Sequence, residues 1–146
     1  MNWFSTGACI AFLAVILGTF GAHGIPTVFE KTYKDIPERM IAGSPVPAAH
    51  KAIDDFKTGV YYQMVHAFAI MLMALWKQNQ ANRLLDIVGH LFTWGCVFFS
   101  GSLYILTLST VKLWGMVAPI GGTLFIGGWI CLIIATYRAP KSTIPA

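Results

Sequence analysis

IVGHLFTWGCVFFSGSLYILTL, residues 87–108, runs for 22 positions without one Asp, Glu, Lys or Arg. A helix of about 20 apolar residues is what it takes to cross a hydrocarbon core about 30 Å thick. Three more segments read the same way: Trp3–Ala22, Gly59–Trp76 and Trp114–Tyr137. Only helices and closed barrels satisfy their backbone polar groups in lipid. The expected fold is therefore all-α, a four-transmembrane-helix antiparallel bundle. Spans are expected at 3–24, 58–76, 87–108 and 114–137, with a polar loop over 27–57.

Composition agrees with this reading. The chain has 146 residues, 56% of them hydrophobic and 11% charged. One integral membrane domain, 1–146, accounts for that balance, because a soluble domain of this size keeps too much surface exposed to bury four such segments. The net charge is +4 and the pI about 9.1. The Lys and Arg residues are scattered and do not form the basic stripe that nucleic acid requires, so they read as loops held near anionic headgroups. Cys9, Cys96 and Cys131 each lie inside an apolar segment. An odd set without a CxxC pair argues against disulfides and metal, leaving small apolar packing residues. Met1–Ala22 lacks a basic n-region and reads as the first span rather than a signal peptide.

Gly24-Ile-Pro26 is expected to stop the first helix. Within the loop, Phe29, Tyr33, Ile36 and Met40 recur at helical period. Asp35-Ile-Pro-Glu38 has the form of a capped helix restart. A short amphipathic or interfacial segment, in the headgroup plane or folded over the helix ends, is expected there. Ser44-Pro-Val-Pro47 then extends the chain, and a helix begins near Ala48. Short links at Lys77–Asp86 and Ser109–Leu113 force antiparallel neighbours. One membrane face thus holds both termini and Lys77–Asp86, and the second holds the long loop and Ser109–Leu113. Trp3 and Trp76 are expected at the first interface and Trp114 at the second. Basic residues occur on both faces: Lys77, Arg83, Arg138 and Lys141 on the first, and Lys31, Lys34, Arg39, Lys51, Lys57 and Lys112 on the second.

A rise of 1.5 Å per residue places the atypical residues by depth from the first face. His66 comes at about 15 Å, Tyr62 at about 21 Å, Ser100 at about 20 Å, Tyr104 at about 26 Å and His23 at about 30 Å. Gln63, Tyr62 and His66 share one face of the second helix, while Ser100, Tyr104 and Thr107 form a stripe on the third. Gly18, Gly21, Gly101, Gly121 and Gly122 supply small surfaces for close helix approach. Pro119 frees a backbone carbonyl inside the fourth span. Two readings follow. The polar residues are an interhelical hydrogen-bond network, or His23, Tyr62, Gln63, His66, Ser100, Ser102 and Tyr104 line a polar cavity that binds or conducts something.

Leu17-Gly-Thr-Phe-Gly-Ala-His23, Thr58-Gly-Val-Tyr-Tyr-Gln-Met-Val-His66, Phe99-Ser-Gly-Ser-Leu-Tyr104, Leu113-Trp114, Pro119-Ile-Gly-Gly122 and Gly128-Trp129 occur in this order. Together they resemble the small multi-pass proteins of domain-of-unknown-function family 423, the YgdD-like membrane proteins. The chain departs from that pattern in Thr27–Lys57, which is longer and richer in Pro and acid. The resemblance implies four helices, an inner-membrane location and cytoplasmic N- and C-termini. It implies no activity, substrate or catalytic residue.

The function these observations favour is a non-enzymatic structural or interaction component, or an accessory subunit of a membrane complex. Its partners would be the lipid bilayer and a homo-oligomer or larger membrane complex. The alternative is binding or translocation of a small ligand, lipid, quinone or proton around His66, whose side chain titrates near neutrality. No cofactor is expected. Haem b is the weaker of two cofactor alternatives, since His23 and His66 differ in depth by about 15 Å; a quinone near Tyr62 and His66 fits better. Hydrolysis by Ser100 or Ser102 with His66 lacks an acid at that depth and a nucleophile elbow.

Overall fold

The computed structural model describes residues 2–78 and 82–138, so Lys141 lies outside the described residues. Among the described residues there are five α-helices, one 3-10 turn and a two-stranded hairpin. They are α1 (Trp3–His23), α2 (Ile25–Thr32), β1 (Arg39–Ile41), β2 (Ser44–Val46), α3 (Ala48–Lys77), α4 (Arg83–Ser109), the 3-10 turn (Lys112–Met116) and α5 (Ala118–Arg138). Four helices are long and apolar enough to cross a bilayer. Asn2 and Asn82 start two of them, their side chains accepting from Ser5 N at 3.2 Å and Leu84 N at 2.9 Å. Such caps satisfy amide donors that the first turn leaves without partners.

Glycine contacts give the direction of each pairing. A Cβ built on Gly7 would meet Met71 near the end of α3, and one on Gly21 would meet Phe56 near its start, so α1 and α3 run antiparallel. Gly59 meets Tyr104 across the α3–α4 seam, and Gly121 and Gly128 meet Phe99 and Phe92 across α4–α5. Helices α3 and α4 form the centre, α1 packs along α3, and α5 packs along α4. Among the described residues α1 and α5 share no comparable seam. The contacts thus run in the order α1–α3–α4–α5, with α1 and α5 outermost. Phe12, Leu72, Ile126 and many other large apolar side chains face outward, where lipid replaces water as the solvent.

Four expectations change. First, α1 ends at His23 with Gly24 as its cap, as expected, but no loop follows: Gly24 keeps αR geometry at φ −90°, and α2 begins at once with Pro26 in its first turn. Pro there gives up an amide that has no acceptor in any case. Second, the helical stripe ends at Thr32. Pro37 lacks an N–H and disfavours αR geometry at Ile36, and no helix restarts at Asp35. A hairpin forms instead, turning at Ala42 and Gly43, both at positive φ, as a two-residue loop between right-twisted strands demands. Met40, expected on the stripe, is exposed. Third, Pro119 lies in the first turn of α5, so its missing amide costs no hydrogen bond within the helix and frees no mid-span carbonyl. Fourth, Trp3 is only 3% exposed. Its ring lies against Gly89 and edge-on to His90 at 4.8 Å, while its N–H donates to Asp86 at 2.8 Å. Lys77 pairs with the same carboxylate.

The segment between the first two spans folds back over the helix ends. Ile25 and Phe29 are buried with Ala52 and Phe56, so the apolar face of α2 meets protein. Tyr33 O–H donates to the carbonyl of Thr107 at 2.9 Å. Burial pushes its phenol up from its ordinary value, with Arg39 opposing and Asp55 reinforcing the shift, so this latch stays protonated at neutral pH. Thr110 caps α4 at φ 60°, a conformation in which a β-branched residue is strained. Thr110→Gly is expected to raise stability by about 0.5–1 kcal/mol, read as a higher unfolding midpoint in detergent.

Candidate functional site

The centre of the bundle is built around two residues one turn apart on α3. Gln63 is 6% exposed and His66 is 3% exposed. The Gln63 amide donates to the carbonyl of Ile10 on α1 at 2.9 Å and accepts from the Tyr104 hydroxyl on α4 at 2.8 Å. One side chain thus ties three helices together. His66 Nδ1 lies 2.8 Å from the Tyr62 carbonyl, and its Nε2 lies 3.2 Å from Trp129 Nε1 on α5. A carbonyl only accepts and an indole N–H only donates. Both contacts are therefore met by the neutral imidazole with its proton on Nδ1.

Aromatic rings fill the space around that imidazole. Phe125 stacks on it with centroids 3.5 Å apart, Phe92 approaches edge-on at 5.2 Å, and Tyr62 lies 6.0 Å away. Glycines make the room. A Cβ on Gly95 would fall 2.5 Å from the Phe125 ring, and one on Gly128 would fall 2.4 Å from Phe92. Small residues on α4 and α5 thereby admit the rings that pack against a histidine on α3.

Of the remaining candidates, Tyr62 borders His66, and His23, Ser100 and Ser102 fall outside this arrangement. His23 is exposed at the end of α1, thirteen residues and about 20 Å beyond Ile10. Tyr62 is 39% exposed and tilts against Phe99 at 4.7 Å. Ser102 Oγ donates to its own helix at Phe99 O, 2.9 Å, as hydroxyls in membrane helices commonly do. Ser100 is buried, and its Oγ has no hydrogen-bond partner among the described residues. Neither serine pairs with His66. Among the small residues, Gly18 lies against Val60 and Gly21 against Phe56, whereas Gly121 is pressed onto the α4 backbone at Phe99. Gly101, expected among the packing residues, has open space where a Cβ would stand, and Gly122 has only Phe99 Cδ2 at 3.9 Å. Cys96 is buried, Cys131 half-buried and Cys9 exposed.

Comparison with known proteins places this architecture. The model of the family described as "Protein of unknown function (DUF423)" matches residues 17–122, a stretch holding Gln63, His66 and Tyr104. The chain belongs to this family. Its relatives include the UPF0382 membrane protein of Staphylococcus epidermidis, 36% identical over 132 residues, which cover 90% of this chain and 92% of that one. The UPF0382 membrane protein YwdK of Bacillus subtilis is 34% identical over 137 residues, covering 90% and 93%. The UPF0382 inner membrane protein YgdD of Escherichia coli K12 is 31% identical over 137 residues, covering 94% and 90%. No solved structure matches the chain. The DUF423 chain is thus a small multi-pass membrane protein of a family without an assigned activity.

Sequence reading missed Phe92, Phe125 and Trp129 as the neighbours of His66. A signal was present. Trp129 lies eight residues from the end of the fourth span, about 12 Å deep, within a turn of the depth assigned to His66. The Ile10 carbonyl had no such signal, since any backbone group of an apolar stretch could have served.

Proposed function

We propose that this DUF423 protein is a non-enzymatic component of its membrane that acts by association with other membrane constituents, as a structural element or accessory subunit. The observation that carries the reading is the closure of its polar interior. Both nitrogens of His66 and both ends of the Gln63 amide are engaged within the bundle, and rings occupy the space beside the imidazole. A proton path or catalytic base needs a group that can exchange partners with water or substrate. His66 would have to abandon both of its partners to do so.

His66→Leu separates this reading from conduction. The variant loses two hydrogen bonds, leaves the Trp129 N–H unpaired and should be less stable by about 1–3 kcal/mol. In proteoliposomes, wild type and variant should leak protons no faster than empty vesicles, as followed with an entrapped pH dye. A proton flux present in wild type and abolished in His66→Leu would overturn the proposal. Association has its own test. Native mass spectra of protein released from its own membranes should show a multiple of the chain mass or a stoichiometric partner. A bare single chain would sink that part.

A further inference from the structure

Where the bundle meets the long loop, a cavity of about 40 Å³ opens between Tyr33, Arg39, Lys51, Asp55, Thr107 and Lys112. At roughly 10–15 Å³ per water position, that is room for about three waters, or for one phosphate group. Three cations and one carboxylate line it. Lys51 pairs with Asp55 one turn along α3. Among the described residues, Arg39 and Lys112 have no carboxylate partner. The cavity thus holds two positive charges that no carboxylate among the described residues pairs with, brought together from a strand and a 3-10 turn 73 positions apart in sequence.

Its depth is specific. Thr107 lies 21 residues along α4 from Asp86, about 31 Å, so the cavity begins where a hydrocarbon core of about 30 Å ends. Helix α3 has 30 residues and is about 45 Å long, so its first turns, carrying Lys51 and Asp55, project into the headgroup layer. Trp114, in the adjoining 3-10 turn, is half-exposed, as suits an amphipathic ring at that level. Phosphate is the anion found at this depth, and guanidinium with ammonium is the donor set that binds it.

We propose that this cavity is a binding site for a phosphate group, presented by an anionic lipid headgroup or arriving as free phosphate. The assignment is independent of the His66 network and stands or falls separately from it. Arg39 and Lys112 supply the charge, and the Lys51–Asp55 pair holds the rim.

The test uses the full chain in two kinds of nanodisc. In equal parts phosphatidylglycerol and phosphatidylcholine, native mass spectrometry counts retained phosphatidylglycerol. In phosphatidylcholine alone, thermal unfolding is followed with inorganic phosphate against chloride at equal ionic strength. Wild type should retain phosphatidylglycerol over phosphatidylcholine, and Arg39→Gln/Lys112→Gln should reduce that retention about tenfold or more. Lys31→Gln/Lys34→Gln removes the same charge from the same face outside the cavity and should leave retention intact. Lys112→Gln alone serves if the double variant does not fold, because Lys112 lies outside the hairpin. Protection by inorganic phosphate that disappears in the cavity variant would assign the site to free phosphate. The proposal is overturned if neither phosphate source is preferred, or if the Lys31/Lys34 control loses as much as the cavity variant.

Discussion

Gly121→Ala is expected to lower stability by about 1–3 kcal/mol, and Gly121→Leu to abolish accumulation of the folded protein. The reason is what the added carbon would strike. A Cβ on Gly121 would stand 2.3 Å from Phe99 N and 2.7 Å from Phe99 Cα. These are backbone atoms of α4, which cannot swing aside as the end of a side chain can. The helices must part, and Phe125 and Trp129, one and two turns further along α5, move away from His66 with it. Gly101→Ala is the matched control, since it meets open space. Unfolding of both variants in detergent, followed by the surviving monodisperse peak, measures the difference. An unchanged midpoint for Gly121→Ala would show that the α4–α5 seam is looser than described here.

Gln63→Leu is expected to cost about 2–4 kcal/mol. It removes two interhelical hydrogen bonds, each worth about 0.6–2 kcal/mol in a membrane bundle, and leaves the half-buried Tyr104 hydroxyl without its acceptor. The orphaned group can be taken away in turn. Tyr104→Phe added to Gln63→Leu should recover part of the loss, giving a coupling of about 1 kcal/mol in a double-mutant cycle. Strict additivity of the two substitutions would mean that the 2.8 Å contact contributes nothing. The same substitution loosens α1 at mid-span, leaving the Trp3–Asp86 hydrogen bond as a polar tie at its start.

The spans were legible because lipid imposes one rule on every residue: twenty apolar positions make a crossing. Depth was legible for the same reason, since a helix converts sequence distance into distance across the bilayer at a fixed rate. That is how Tyr62, Gln63, His66 and Tyr104 could be placed near one another before any geometry was known. Azimuth was not legible. Whether Gly101 or Gly95 faces a neighbour depends on the rotation of α4 about its axis, and a helix apolar on all sides gives almost no indication of that. Hence the sequence points to Gly101 at a seam, whereas it is Gly95 that seats Phe125. The segment from Gly24 to Pro47 failed for another reason. Its apolar residues match a helix for two turns, but Pro37 and the Ala42-Gly43 turn override the period locally. The turn carried its sign in Gly43 between Ile41 and Val46. The cavity at the second face joins Arg39 to Lys112, and no spacing rule links residues so far apart.

The helix bundle also has an order in time. Membrane helices emerge from the ribosome one after another, and the central histidine is made early, on the second span. Gln63 finds Ile10 already waiting and receives Tyr104 next. His66 waits longer, because Trp129 and Phe125 belong to α5, made after α4. Until α5 is in place, the imidazole presents an unmet nitrogen and a bare ring face to hydrocarbon. A chain that stops before α5 therefore differs from one that includes it by a polar mark within the bilayer, and the docking of α5 covers that mark.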